Sequence, residues 1–133
     1  MRINNKKGFT LIELLGVIII LSVIVMITVP IVQDKITESR KNAFLASVNG
    51  YVRASRMKNT EEGTTKFTIA NEKITPEIEY KGEVQGKGVI EYNSLGKAKV
   101  NVWNGTYCAI KDYEDSDVHL KDDIHDYTAC MNA

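Results

Sequence analysis

The stretch from Lys6 to Val32, KKGFTLIELLGVIIILSVIVMITVPIV, decides how the chain is read. From Phe9 to Val32 it is one apolar run of 24 residues whose only charge is Glu13. As a helix rising about 1.5 Å per residue it spans about 36 Å. A bilayer core is about 30 Å thick, so the run is long enough to cross it. A soluble core helix carries polar residues every third or fourth position, and this one does not. Arg2, Lys6 and Lys7 precede the run, which places the N-terminus on the cytoplasmic side.

A secretory signal is the first competitor. Its apolar part is shorter, about 7–15 residues, and ends at a small-residue cleavage site. Here the run is longer and closes in Val-Pro-Ile-Val-Gln-Asp with no Ala-x-Ala pattern. No cysteine lies near it, which excludes a lipoprotein anchor. Glu13 then needs a reason, because a carboxylate in hydrocarbon is costly unless paired or protonated. One reading places it near the headgroups, where the penalty is small.

The string Lys6-Lys7-Gly8-Phe9-Thr10-Leu11-Ile12-Glu13-Leu14 resembles the class III leader and processing site of type IV prepilins and pseudopilins, closest to the type IVa pattern. Every position of that pattern is matched. The resemblance implies cleavage between Gly8 and Phe9 by prepilin peptidase, N-methylation of Phe9, and stacking of subunits by a platform protein and an ATPase. It also answers the Glu13 problem. Cleavage creates an amine at Phe9, and Glu13 of a neighbouring subunit can pair with it, each charge being costly alone and tolerable together. Pro30 falls where pilins commonly carry proline. It implies either a bend that loosens during packing or a helix boundary at the membrane exit. Gly16 permits close helix–helix approach.

Beyond Val32 the composition changes. Ile36, Phe44, Val48, Tyr51, Val52 and Ser55 or Met57 approximate the stripe of an amphipathic helix. One helix is expected over roughly 9–58, its second half packing on a head, with Gly63 in the terminator region. Gly50 weakens it by about 1 kcal/mol. From Thr64 the period becomes two. Strands are expected at 66–70, 77–81, 88–93, 97–103 and 106–111, with turns at Ser94-Leu95-Gly96 and Asn104-Gly105. In the last hairpin Val100, Val102, Tyr107 and Ala109 share the face toward the helix. Trp103, Cys108 and Ile110 face the other way and need cover from the C-terminal segment.

The fold class expected is therefore α+β: a long N-terminal helix, membrane-spanning in its first half, on a small antiparallel head. Four segments follow: a leader at 1–8, a membrane and polymerisation helix at 9–32, an amphipathic half at 33–63, and a head at 64–133. Cys108 and Cys130 are the two cysteines. In an exported domain they are expected to pair, the alternative being two buried free thiols. Type IV pilins have a similar layout, with a C-terminal disulfide-bounded loop.

The rest mostly excludes. Lys+Arg and Asp+Glu are both 17, so no strongly basic nucleic-acid surface is the default. Without the first eight residues, 14 basic residues stand against 17 acidic ones, a formal charge of −3. Nucleic acid stays an open partner for a filament, although lysine and arginine show no cluster interleaved with aromatics. Asp112, Asp115 and Asp117 lie in an acidic tail with His119 and His125. Clustered carboxylates can hold calcium, but their spacing fits no EF-hand loop, and a solvated face is the expected reading. Asn104-Gly105-Thr106 matches a glycosylation acceptor pattern that its turn role already explains. No nucleophile constellation and no phosphate loop is present, so neither enzyme activity nor a cofactor is expected. The remaining reading from another class is a membrane-anchored binding module that never polymerises.

Overall fold

The computed structural model describes residues 7–133 and divides the chain into two units between Ser39 and Arg40. Arg2 and Lys6 of the basic leader lie outside the described residues.

Helix α1 runs Leu11–Glu62 and contributes to both units. Its part in the first unit is exposed throughout apart from half-buried Gly16. The helix does not end at Pro30. Proline supplies no N–H to the carbonyl four residues back, and the Thr28 hydroxyl bonds nearby carbonyls, those of Ile24 at 3.0 Å and Val25 at 3.3 Å.

The second unit holds the core. Phe44, Val48, Tyr51, Val52 and Ser55 are the buried residues of α1, at the spacing of one helix face. Ile36 and Met57, expected on that stripe, are exposed. Gly63, at φ +72°, donates its N–H to the Asn59 carbonyl at 2.9 Å and closes the helix in a left-handed conformation that costs glycine little.

Six strands follow: β1 Lys66–Ala70, β2 Lys73–Thr75, β3 Lys87–Tyr92, β4 Ala98–Trp103, β5 Cys108–Lys111 and β6 His119–Lys121. They form one antiparallel sheet in the order β2-β1-β3-β4-β5-β6. Phe67, Ile69, Ile90, Val100, Val102 and Ala109 present one face of it to the α1 core residues. The chain is thus α+β, with the Arg40–Glu62 part of α1 packed on an antiparallel sheet.

Two strand expectations change. Residues 77–81 form no strand. Pro76 withholds a ladder donor there, and the segment is held by side chains instead. The Tyr80 ring meets Tyr51 edge-on at 4.8 Å between centroids, and the Tyr51 oxygen accepts the Gln85 N–H at 2.7 Å. In its place β2 folds straight back on β1 through Asn71 and Glu72, both at positive φ, the backbone that a two-residue hairpin turn demands. The Asn104-Gly105 signal does nucleate a hairpin, but its loop is four residues. Trp103 pairs with Cys108, and Asn104 Oδ1 accepts the N–H groups of Thr106 and Tyr107 at 2.9 and 2.7 Å.

The second sheet face is covered over β4 and β5 by the C-terminal segment. Helix α2, Tyr127–Met131, starts at Asp126, whose carboxylate accepts the Ala129 N–H at 2.8 Å. Cys108, Ile124 and Cys130 form a small second core against Trp103, Ile110 and Met131. Cys108 and Cys130 are disulfide-bonded, closing a separation of 22 residues.

Candidate functional site

The residues expected to carry function lie at the start of α1. Gly8 and Phe9 precede the helix outside any regular element, and Phe9 is 92% exposed. A β-carbon at Gly8 would meet nothing within 4 Å. The Gly8–Phe9 peptide bond is thus open to approach from solvent. In the uncut chain the Phe9 nitrogen is an amide, and a positive charge exists there only after cleavage.

Thr10 and Glu13 close a reciprocal cap. The Glu13 N–H donates to Thr10 Oγ1 at 3.3 Å, and the Thr10 N–H donates to Glu13 Oε2 at 3.2 Å. This satisfies two of the N–H groups that a helix start leaves without intrahelical partners. The carboxylate also sits at the positive end of the helix dipole. Both bonds are exposed, so one side of the carboxylate remains open to another donor. The sequence reading singled out Glu13 as an intersubunit partner and missed this local role. The Thr-x-x-Glu spacing was the signal that could have found it.

Around this start the surface is apolar. Leu11 is 86% and Ile12 76% exposed. Of the long apolar window that follows, nothing is buried within the structure. An unburied surface of that extent is stable in hydrocarbon or against equally apolar neighbours, and not in water. The arrangement offers an exposed Gly8–Phe9 peptide bond, a carboxylate at Glu13, the fifth residue after that bond, and an apolar shaft.

The profile of the prokaryotic N-terminal methylation motif matches residues 3–29. The chain carries a prepilin-type leader. Such a motif is typical of type IV pilins and pseudopilins, and it supports a precursor of that type. The motif implies processing by prepilin peptidase, assembly with other pilins, and a membrane-anchored precursor. Proteins of this type are structural. Neither the comparison with curated proteins nor that with solved structures gave a significant match.

The acidic tail does not converge into a metal centre. Asp115 Oδ2 accepts the Asp112 N–H at 2.9 Å, Asp112 Oδ1 accepts that of Tyr113 at 2.7 Å, and Asp117 Oδ2 accepts the Ser116 hydroxyl at 3.0 Å. Among the described residues no three His, Cys, Asp or Glu side chains stand together in a metal-holding arrangement, Asp112, Asp115 and Asp117 included. Asp122 pairs with Lys41 of α1 at 2.9 Å, and Lys41 also lies 5.7 Å from the Tyr107 ring centroid. The Asp122 hydrogen bond raises the Lys41 ammonium above its ordinary pKa against a smaller desolvation effect.

Two polar residues that sequence reasoning passed over organise the head. Asn101 is buried on the covered face, and its Nδ2 donates to the Cys130 carbonyl at 2.8 Å and to the Ala133 main-chain oxygen at 3.3 Å. Lys111 is only 6% exposed, and its ammonium donates to the carbonyls of Ala98 at 3.0 Å and Asp112 at 3.2 Å. A polar residue interrupting an apolar alternation was the only signal of either.

Proposed function

We propose that the chain is a structural subunit of a type IV pilus. Prepilin peptidase cuts it after Gly8 and methylates the new Phe9 amine. The apolar helix at 9–32 holds the precursor in the cytoplasmic membrane, with the leader on the cytoplasmic side. A platform protein and an ATPase then stack subunits into a helical surface filament. No catalytic role is assigned to the chain.

The observation that carries the reading is the lone carboxylate of Glu13, five residues into a 24-residue apolar run and directly after a processing motif. A plain anchor gains from it no more than the cap with Thr10. In a filament the amine made at Phe9 and the open side of Glu13 of a neighbour form a charge pair in an apolar surround, where such a pair selects geometry even when it adds little net stability. Apolar shafts leave lipid for equally apolar neighbours, so packing and this pair set the register. Pro30 lets the shaft adjust as it packs.

A pseudopilin of a secretion or competence system uses the same processing and stacking. The apolar shaft and Glu13 suit it equally well.

The test is mass spectrometry of the N-terminal peptide from filaments sheared off intact cells. An N-methylated Phe9 in that fraction supports a pilin. A methylated Phe9 found only in membranes assigns the chain to an envelope pseudopilus. An intact Met1 terminus overturns the reading and leaves a membrane-anchored binding module.

A further inference from the structure

The head separates its charges to opposite ends of one sheet. On the face turned away from α1, four lysines stand over the β2-β1-β3-β4 end: Lys73, Lys66, Lys87 and Lys99. Strand register fixes their positions. Lys66, Glu91 and Lys99 form one cross-strand row, and Lys73 pairs with Ala70 at the other end of β1. Between these rows runs an uncharged one, Thr75, Thr68 and Val89. Glu91 is the one carboxylate of these strands on that face, and it pairs with Lys66 at 3.1 Å. Lys87 lies 4.6 Å over the Tyr127 ring. Lys73 and Lys99 form no ion pair among the described residues. Helix α2 covers β4 and β5, with Tyr127 reaching Lys87 of β3, whereas Lys73, Thr75, Lys66 and Thr68 of β2 and β1 are exposed and Lys99 is half-buried.

At the far edge the sign reverses. Residues 112–126 hold seven Asp and Glu against one lysine, Lys121. They form the connection from β5 to β6 and the segment after β6. Lys97 takes up Glu114 and Lys41 takes up Asp122, while Asp117 and Asp123 are exposed and form no ion pair among the described residues. Strands lie about 4.8 Å apart, so β1 stands about 19 Å from β6, and even β4, which carries Lys99, stands about 10 Å from it. Both exceed the screening length of about 8 Å at physiological salt. The two patches of one head therefore do not neutralise each other.

We propose that the open lysine-bearing face of one head is the docking surface for the acidic segment of a second copy, centred on Asp117 and Asp123. Charge complementarity names this occupant, because the same chain carries both halves of the contact. The two patches lie at different places on the head, so the contact is head-to-tail, and a head-to-tail contact that does not close generates an open helix. This inference rests on the filament reading above and adds a contact outside the apolar shaft. Such a contact acts on partner choice and register more than on bulk affinity.

The test uses the full-length chain in its own cells. One variant is Lys73→Glu with Lys99→Glu, a second is Asp117→Lys with Asp123→Lys, and a third combines all four. Sheared filament yield is measured per cellular amount of N-methylated Phe9. Each reversal alone is expected to cut the yield at least about tenfold, and the combination to restore it to within about threefold of wild type. Wild-type yield in both single-patch variants overturns the contact while leaving the filament reading intact. A defect that the combination does not relieve also overturns it. If the lysine reversal leaves filaments intact but removes their retention of double-stranded DNA, the face serves a polyanion and the contact falls. Absence of wild-type filaments removes the filament reading and the contact with it.

Discussion

The Tyr80 ring lies over Gly50, where a β-carbon would stand 2.6 Å from its Cε2 atom. The loop after β2 thereby docks on α1 through a glycine. The same ring packs edge-on against Tyr51 and comes close to Gly82.

Gly50→Ala separates helix propensity from packing. By propensity alone alanine stabilises a helix interior by about 1 kcal/mol. Here the added methyl displaces a ring held on Tyr51, and overpacking of this kind costs about 1–3 kcal/mol. The expected outcome is net destabilisation in urea melts, relieved in the background of Tyr80→Ala. A more stable Gly50→Ala single variant would refute the docking account.

Glu13 caps the helix with Thr10 and is proposed to pair with the Phe9 amine of a neighbour, and two substitutions distinguish these roles. Gln can still complete the cap with Thr10 but cannot neutralise an amine. Val loses both. Both variants are expected to be cut after Gly8. Glu13→Gln is expected to lose filaments nearly as completely as Glu13→Val, which immunoblots of sheared fractions would report. Filaments from Glu13→Gln at the wild-type level would assign Glu13 to the cap alone.

The disulfide and Asn101 hold the C-terminal segment against the sheet. A closed loop of about this size contributes about 3 kcal/mol in the chain-entropy estimate. Replacing Cys108 and Cys130 with serine is expected to lower head stability by about that amount, while the core of Phe44, Val48, Tyr51 and Phe67 persists. Asn101→Asp sets an acceptor against the main-chain oxygens of Cys130 and Ala133 and is expected to cost about 1–3 kcal/mol. Hydrogen exchange of residues 119–133 should accelerate in both, and unchanged protection there would count against the account.

Alkaline pH should weaken the head. Desolvation by burial is the largest effect on Tyr51 and Tyr92, and it raises both above the ordinary 10.0 against smaller opposing hydrogen bonds. The folded state then keeps protons that the unfolded chain gives up. Their contribution is full below pH 10 and is lost as pH rises through the folded values. Lys41, raised by Asp122, has the same sign. The denaturation midpoint should fall above about pH 10, less steeply in Tyr92→Phe. Parallel curves for the two proteins would show that Tyr92 does not contribute.

Ser55 and Tyr92 share a buried hydroxyl contact of 2.8 Å, and the Tyr92 hydroxyl donates to the Val52 carbonyl at 2.9 Å. Nothing local in the sequence pairs residues 37 apart. The Val100 and Val102 face toward α1 was legible because strand side chains alternate, and so was the need to cover Trp103 and Ile110. The strand at 77–81 was misread for the opposite reason. Its alternation of Glu77, Ile78, Glu79 and Tyr80 is real, but Pro76 and the pull of Tyr80 onto Gly50 outweighed it. Strands β2 and β6 have three residues each, too few for a period to appear.

By itself the sequence determined the prepilin leader, the apolar shaft, the helix-then-sheet order and part of the core, Phe44, Val48, Tyr51 and Val52 of the helix with Val100, Val102 and Ala109 of the last hairpin. These follow from local chemistry: a charge beside an apolar run, a period of 3.6, a period of two. Only the tertiary structure decided the strand order, the Tyr80–Gly50 docking, the Thr10–Glu13 cap as an actual contact, and the separation of lysines from aspartates across the sheet. Each of these depends on which residues become neighbours in space, and that is set by the sum of many weak contacts rather than by any one stretch of chain.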